Sequence, residues 1–412
     1  MRVGIFTDSY PPYINGVSTS IVMLKQALEK CGHQVYIVTV NDQGHSYRFE
    51  ENNKIIRLPG IPIGIYDYRM TSIYPIRVIN RIKKWNLDVI HSQTEFGVGT
   101  FARIIAKQLD IPLVHTYHTM YEDYVHYITK GYFNKSSKKV VEYLTKFYCD
   151  KTATELIVPT KKTYALFKDK YKYERNIHII PTGIDVERFY KEKINIKDVE
   201  EIKKKLEIKK DDFIILFVGR IGREKSIDVL IEGQHAFIKK HPKCKLMIIG
   251  DGPDAPYYMK LVKKWKLENN VKFIGKVPWD EIPKYYQIAN IFATASRSET
   301  QGLTVIEAMA SSLPVIAADD ESFKSIVVDD LNGYLFSNKK QYRKIVEKLL
   351  DDKDKVLYLS KQARISSEFY SSKYFAERVL KVYESAIKES GNKNKSYFGR
   401  LKHVFKRGLH GK

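Results

Sequence analysis

Two glutamates, Glu299 and Glu307, lie in the stretch FATASRSETQGLTVIEAMASSLPVIAA, Phe292 to Ala318. That stretch reads as an apolar strand (Ile291 to Ala295), a polar loop, a helix and a second apolar strand (Pro314 to Ala318). Gly302 stands where the helix should begin, so free backbone N–H groups there can face an anion. Glu307 falls about two helical turns beyond Glu299, which roughly aligns the carboxylates along one side. Two acids and a helix N-terminus suit a sugar nucleotide, with acids for hydroxyls and amides for phosphates. Spacing alone gives only a solvated helix face. The strand-to-helix loop, where open α/β sheets place ligands, is what singles out Glu299.

Three further sets of residues fit the same chemistry. GRIGREKSID (Gly219 to Asp228) puts Arg220 and Lys225 five apart, before a helix that Ser226 is expected to cap. Two cations at a helix entrance can neutralise a diphosphate leaving group. The first strand ends at Asp8 and runs into SYPPYINGVSTS, where Asn15-Gly16 gives a turn that lets backbone approach a ligand closely. Ser18 is expected to cap the following helix. His118 comes at the carboxyl end of its strand in PLVHTYHTMYEDY, while His91, His115 and His126 read as packing or acceptor-side residues.

SETQGLTVIEAMASSLPVIAA resembles the Glu-x7-Glu signature of the retaining glycosyltransferases of family 4. Ser312 departs from it, since the family usually has Gly before Leu-Pro. The resemblance extends to the Asn-Gly-Val loop, the strand-end histidine and the Gly-Arg…Glu-Lys loop, covering essentially residues 1 to 388. It implies that Gly16 lies near the donor diphosphate and that His118 hydrogen-bonds the transferred sugar. Arg220, Lys225, Gly302 and Leu303 would meet the diphosphate, Glu299 the sugar hydroxyls and Glu307 the ribose. The loop Gly250-Asp251-Gly252-Pro253 would lie near the nucleotide, and GKVPWDEIP would run beside the base.

Strands are expected at Val3–Thr7, Val35–Val40, Ile55–Leu58, Val89–Ser92, Leu113–Tyr117, Leu156–Pro159 and Ile177–Ile180. The pattern restarts at Phe213–Val218, Lys245–Ile249, Val271–Ile274, Ile291–Ala295 and Val315–Ala318. Continuous apolar strands separated by amphipathic helices indicate parallel, doubly wound sheets. The expected fold is α/β, with two Rossmann-like domains facing across a cleft, the glycosyltransferase B arrangement that the resemblance implies. The expected division is 1–186 for the acceptor-facing domain and 187–370 for the nucleotide-sugar domain. A closing helix over 371–390 returns to the first domain, and 391–412 form a basic amphipathic tail.

A chain of 412 residues can bury two cores. Cys31, Cys149 and Cys244 are far apart and in no metal-binding spacing, so the chain reads as reduced and cytosolic, with no metal site expected. No run approaches the ~20 apolar residues that span a bilayer, and MRVGIFTDSY reads as a strand rather than a signal. The net charge is +22, and seven of those charges fall in the last 22 residues without one acid. There Tyr397, Phe398, Leu401, Val404, Phe405 and Leu409 recur at helical spacing, the pattern of a helix lying in a membrane interface. Tyr66–Trp85 and Tyr127–Lys151 mix cations with aromatic and aliphatic residues, which suits anionic lipid headgroups as well as a solvated helix.

Within family 4 the chain is most similar to bacterial glucosyltransferases that act on diacylglycerol, through HSQTEFGVG (His91 to Gly99) and HTMYEDYVHYI (His118 to Ile128). The implied reaction moves α-glucose from UDP-glucose, the donor substrate, to diacylglycerol, with no cofactor required. The implied location is peripheral, at the cytoplasmic face of the membrane beside anionic lipids. Another donor such as GDP-mannose, or another lipid or saccharide acceptor, stays open. A non-catalytic nucleic-acid-binding protein is the distant reading. It is not expected, because such a module has no use for Glu299, Glu307, Arg220 and Lys225 together.

Overall fold

The computed structural model describes residues 1–13, 15–62, 69–95, 97–118 and 153–408, with side chains up to residue 391. The chain forms two compact units, one of residues 1–159, 163–181 and 375–412, the other of residues 160–162 and 182–374.

In the first unit the strands are β1 (Arg2–Phe6), β2 (Gln34–Val40), β3 (Arg48–Glu50), β4 (Ile55–Leu58), β5 (Gly60–Pro62), β6 (Arg69–Thr71), β7 (Val89–Ser92), β8 (Leu113–Thr116), β9 (Glu155–Val158) and β10 (Ile177–Ile179). Eight of them make one sheet in the order β10-β9-β8-β7-β1-β2-β4-β3, parallel except where β3 runs against β4. Side chains alternate across a strand, so β1 divides its apolar residues between two layers. Val3 and Ile5 join Ile21, Leu24 and Leu28 of the helix Gly16–Lys30 on one face, together with Phe375, Val379 and Tyr383. Phe6 joins Val78 and Ile82 of Ile76–Lys84 and Phe101 and Ile105 of Gly97–Leu109 on the other. Burying each such side chain contributes about 2 kcal/mol.

The second unit holds β11 (Phe213–Val218), β12 (Cys244–Ile249), β13 (Val271–Gly275), β14 (Ile291–Thr294), β15 (Val315–Ala318) and β16 (Gly333–Phe336). They form an all-parallel sheet in the order β13-β12-β11-β14-β15-β16. Ile215 and Phe217 pack under the helices Ile227–Phe237, Ala255–Lys264 and Lys339–Asp351. Ile214 and Leu216 pack on the opposite face with Val305, Ile306 and Met309 of Leu303–Ala310.

Both sheets reverse their strand order once, between β1 and β7 in the first and between β11 and β14 in the second. The loops leaving the carboxyl ends of such a strand pair diverge and leave a crevice, the usual ligand position in doubly wound sheets. The expected strands are present with ends shifted by a residue or so, while β3, β5, β6 and β16 were not expected. β16 begins on Gly333 because a Cβ there would come within 2.0 Å of the Val315 carbonyl oxygen. The last helix also differs from expectation. It runs unbroken over Ser372–Gly408, so Gly391 does not separate a closing helix from a tail. Among the described residues, no helix is long and apolar enough to cross a membrane.

Candidate active site

The ends of β11 and β14 lie side by side at the reversal of the second sheet, and the segments leaving them carry four of the eight predicted residues, Arg220, Lys225, Glu299 and Gly302. Gly250, at φ +136°, would place a Cβ 1.9 Å from the Gly219 carbonyl oxygen, so the loops after β11 and β12 meet backbone to backbone. From the β11 loop, Arg220 Nη2 donates to Glu224 Oε1 at 2.6 Å. Lys225 Nζ, at the end of the short turn Arg223–Lys225, pairs with the Glu299 carboxylate from the β14 loop. This ion pair therefore joins the two loops at the reversal. The Ser322 hydroxyl donates to the Glu299 carbonyl at 2.5 Å and fixes that loop from the β15 side. Each cation meets a carboxylate, so the groups are held in place before any ligand arrives.

Two expectations need correcting here. Ser226 does not cap the helix it precedes. Its backbone is left-handed at φ 50°, whereas a capping side chain reaches the helix amides from extended backbone. The two carboxylates are not aligned along one helix, although Glu299 lies in the loop and Glu307 in the helix as expected. The helix starts at Leu303 behind Gly302, whose φ of +78° breaks the chain direction, so Glu299 stays in the loop. A Cβ at Gly302 would lie 2.6 Å from Phe323 Cε1, so the turn requires glycine twice over. Among the described residues no side chain caps the Leu303 end, which leaves the Leu303 and Thr304 amides for an anion.

Glu307 has its own surroundings. Tyr286 donates its hydroxyl to Glu307 Oε2 at 2.7 Å. Burial pushes the Glu307 carboxyl above its ordinary value, partly opposed by the Tyr286 bond and the nearby Arg188 charge. The Arg188 guanidinium lies 3.2 Å from the Trp279 ring centroid and also donates to the Trp279 carbonyl. Sequence reading picked out the Trp279 segment but missed Glu224, Arg188 and Tyr286. Glu224 was legible inside the Glu-Lys pair; the other two carry no spacing signal.

In the first unit the reversal lies between β1 and β7, and its loops are tied by side chains. Asp8 Oδ1 accepts from the Val98 amide at 2.9 Å and Oδ2 from the Thr94 hydroxyl at 2.5 Å. Burial raises the Asp8 pKa against those bonds. The helix bearing Gly16 as its first residue is capped by Asn15, not by the expected Ser18. The Asn15 side chain accepts from the Ser18 amide at 2.9 Å, and the Ser18 hydroxyl accepts from the Asn15 amide at 3.0 Å. The cap falls at Asn15 because only there do both bonds close. Arg57 Nη2 donates to the Pro11 carbonyl at 2.8 Å and pins the loop from β4.

His118 follows β8, with Nε2 2.6 Å from Gln93 Oε1 at the end of β7. Burial lowers its pKa to about 4. His91 lies between the Tyr383 hydroxyl (2.6 Å) and the Thr116 hydroxyl (2.7 Å), and His115 between the Ser92 carbonyl and Glu95. Both rings are buried with both nitrogens engaged. Asp8, Gln93 and Glu95 were missed, although each lies within three residues of a strand end at the reversal. His126 and Tyr127–Lys151 lie outside the described residues, as do Tyr66 and Tyr68. Arg69 donates twice to the Gly60 carbonyl, which makes it a brace of the β5–β6 hairpin. Among the described residues, no group of three or more His, Cys, Asp or Glu could hold a metal ion.

Residues 14–188 match the profile of glycosyltransferase family 4, and residues 198–366 that of glycosyl transferases group 1. Over 398 residues the chain is 37% identical to the alpha-monoglucosyldiacylglycerol synthase of Acholeplasma laidlawii, spanning 95% of this chain and 99% of that protein. The chain is a family 4 glycosyltransferase. The glycosyltransferase is also 35% identical over 391 residues to the alpha-monoglucosyldiacylglycerol synthase of Streptococcus pneumoniae, spanning 94% of this chain and 86% of that one. Its fold is shared with Anabaena HepE, solved in complex with UDP, at a TM-score of 0.71 and 16% identity over 93% of this chain and 100% of that one. Both profiles and both units are those of a glycosyltransferase B enzyme.

Proposed function

We propose that this glycosyltransferase moves an α-glucosyl unit from UDP-glucose to the 3-hydroxyl of 1,2-diacylglycerol, with retention at the anomeric carbon. The observation that carries this reading is the 37% identity across 95% of the chain to an alpha-monoglucosyldiacylglycerol synthase. The geometry at the second sheet's reversal supports the donor half. Arg220 and Lys225 give the diphosphate two cations, and the amides after Gly302 add a helix terminus. Glu299 holds sugar hydroxyls and Glu307 the ribose, while His118 hydrogen-bonds the transferred sugar. The bond from the anomeric carbon to the β-phosphate oxygen breaks on the face where the acceptor oxygen adds. The departing UDP takes the acceptor proton, and the cations stabilise its charge.

The acceptor half is supported by the exposed apolar edge of the first unit. Ile61 and Met70 stand opposite one another on the β5–β6 hairpin, 66% and 61% exposed. Ile73 and Ile76 continue the edge beside Arg77, Arg81, Lys83 and Lys84. Apolar side chains among cations suit insertion into an anionic leaflet, and the enzyme acts peripherally from the cytoplasmic face. The test is to incubate purified enzyme with UDP-glucose, UDP-galactose or GDP-mannose and diacylglycerol vesicles, then identify products. α-Glucosyl-diacylglycerol from UDP-glucose alone is expected. Transfer from GDP-mannose, or transfer only to phosphatidylinositol or a lipid-linked saccharide, would overturn the assignment.

A further inference from the structure

We propose that Gln93 is a positioning residue that fixes the ring tautomer of His118, so that Nε2 carries the proton and Nδ1 is the hydrogen-bond acceptor. The inference rests on the reading of His118 as a sugar contact. It begins from the register of the first sheet. β7 and β8 are parallel neighbours, with Ile90, His91 and Ser92 opposite Leu113, Val114 and His115. Both chains leave the sheet at their carboxyl ends, which brings Gln93, one residue past β7, to His118, two residues past β8.

Gln93 is well placed to hold a neighbour. It is 3% exposed, and its backbone amide donates to the Phe6 carbonyl at 2.9 Å, so the strand end is tied into the sheet. Its Oε1 lies 2.6 Å from His118 Nε2. A carbonyl oxygen only accepts, so the imidazole nitrogen facing it must carry hydrogen. A neutral imidazole has one N–H and one lone pair, and the lone pair is then left on Nδ1. The ring is neutral at ordinary pH because burial works against its charge. Among the described residues, Nδ1 has no hydrogen-bond partner, so the ring can accept from a ligand hydroxyl. The other two histidines of this cluster have both ring nitrogens engaged, His91 by two hydroxyls and His115 by Ser92 and Glu95. Among the described residues, His118 thus differs in being held from one side only.

The amide of Gln93 decides which hydroxyl contact the ring can make. An amide turned to present its NH2 group would impose the opposite tautomer, and His118 would then donate through Nδ1. The experiment therefore reads the tautomer directly. Long-range 1H–15N correlation spectra of the full-length enzyme, labelled at histidine nitrogen and saturated with UDP, are recorded for wild type, Gln93→Glu and Gln93→Met. Glutamate, at a pH where it is ionised and the ring neutral, only accepts and keeps Nε2–H. Methionine fills a similar volume without an acceptor and releases the ring. Wild type and Gln93→Glu are expected to show His118 as the Nε2–H form, and Gln93→Met a mixture of both.

In parallel, transfer from UDP-glucose to vesicle-borne diacylglycerol should lose roughly tenfold in kcat in Gln93→Met, the worth of one lost hydrogen bond. UDP affinity should stay unchanged, which a general folding defect would not spare. Nδ1–H in wild type, or an unchanged tautomer in Gln93→Met, would overturn the assignment. Release of the tautomer with undiminished kcat would overturn its consequence for transfer. If wild type transfers nothing to diacylglycerol, the proposed acceptor fails, and the spectra still decide the role of Gln93. A Gln93→Met protein that does not fold leaves the wild-type tautomer and Gln93→Glu as the deciding measurements.

Discussion

Lys225 and Glu299 form an ion pair across the β11 and β14 loops, and each depends on the other for its place. Arg220 is held likewise by Glu224, whose side chain is 8% exposed. A diphosphate that develops charge between these groups meets cations already oriented, which is where electrostatic catalysis gains most. Replacing Lys225 or Arg220 by Ala should therefore lower kcat by roughly 10²–10³-fold. The loss should be the same with EDTA present if, as proposed, the cations act on the phosphates themselves. Steady-state rates with and without chelator check this, and wild-type activity abolished by EDTA would oppose it. Glu307 offers a test with opposite signs in two measurements. Burial raises its pKa in the folded chain, so the carboxyl costs stability in full above that raised value, and the cost shrinks below it and disappears under the ordinary unfolded-state value. Glu307→Gln should therefore raise Tm at neutral pH, with the gain fading as pH falls and the native glutamate becomes protonated. The same variant should weaken UDP binding about tenfold by calorimetry, the worth of one charge-assisted hydrogen bond.

At the scale of elements, the helix Leu303–Ala310 shows what a departure from a family pattern costs. It ends in two bonds, from the Ser312 amide to the Met309 carbonyl and from the Leu313 amide to the Ala308 carbonyl, both at 2.9 Å. That pair of bonds is the Schellman motif, and it requires a left-handed residue at Ser312, whose φ is 61°. Glycine adopts that conformation without the Cβ clash, whereas serine pays about 1 kcal/mol. Ser312→Gly should raise the melting transition of the second unit by about 2–4 °C, with activity retained, as calorimetry would show. This position was visible in the sequence as a departure, but its reason needed the backbone. The strands were legible because parallel strands buried on both faces read as continuous apolar runs. β16 was not, because GYLF is short and opens on a glycine. The loops at the two reversals were legible through Gly16, Gly302 and the strand ends. Tyr286, Arg188 and Gln93 were not, since they reach Glu307 and His118 through tertiary contacts that no local period encodes.

For the whole molecule, the excess of positive charge requires an explanation that neither sheet supplies. The net charge is +22, and seven cations without an acid lie in residues 391–412. The helix that leads there is anchored at its start. Phe375, Ala376, Val379, Val382, Tyr383 and Ala386 are buried in the first unit's core, and Tyr383 also bonds His91. Beyond residue 391 the backbone continues helical to Gly408, about 25 Å of further helix. Near an anionic leaflet each Lys or Arg contributes about 1 kcal/mol, fading beyond a Debye length. Half of the seven would thus supply a few kcal/mol, enough for a reversible anchor. Truncation after Gly391 keeps every one of those buried residues, so the enzyme should remain folded and bind UDP as before. Its binding to phosphatidylglycerol vesicles should weaken, and transfer to vesicle-borne diacylglycerol should fall more than UDP affinity does. High salt should reproduce much of the loss in the full-length chain but little in the truncated one. Co-sedimentation of both proteins with vesicles at low and high salt checks this. Equal binding by the two would assign docking to the edge carrying Ile61, Met70, Ile73 and Ile76 with its neighbouring cations, and Ile61→Glu with Met70→Glu should then abolish it.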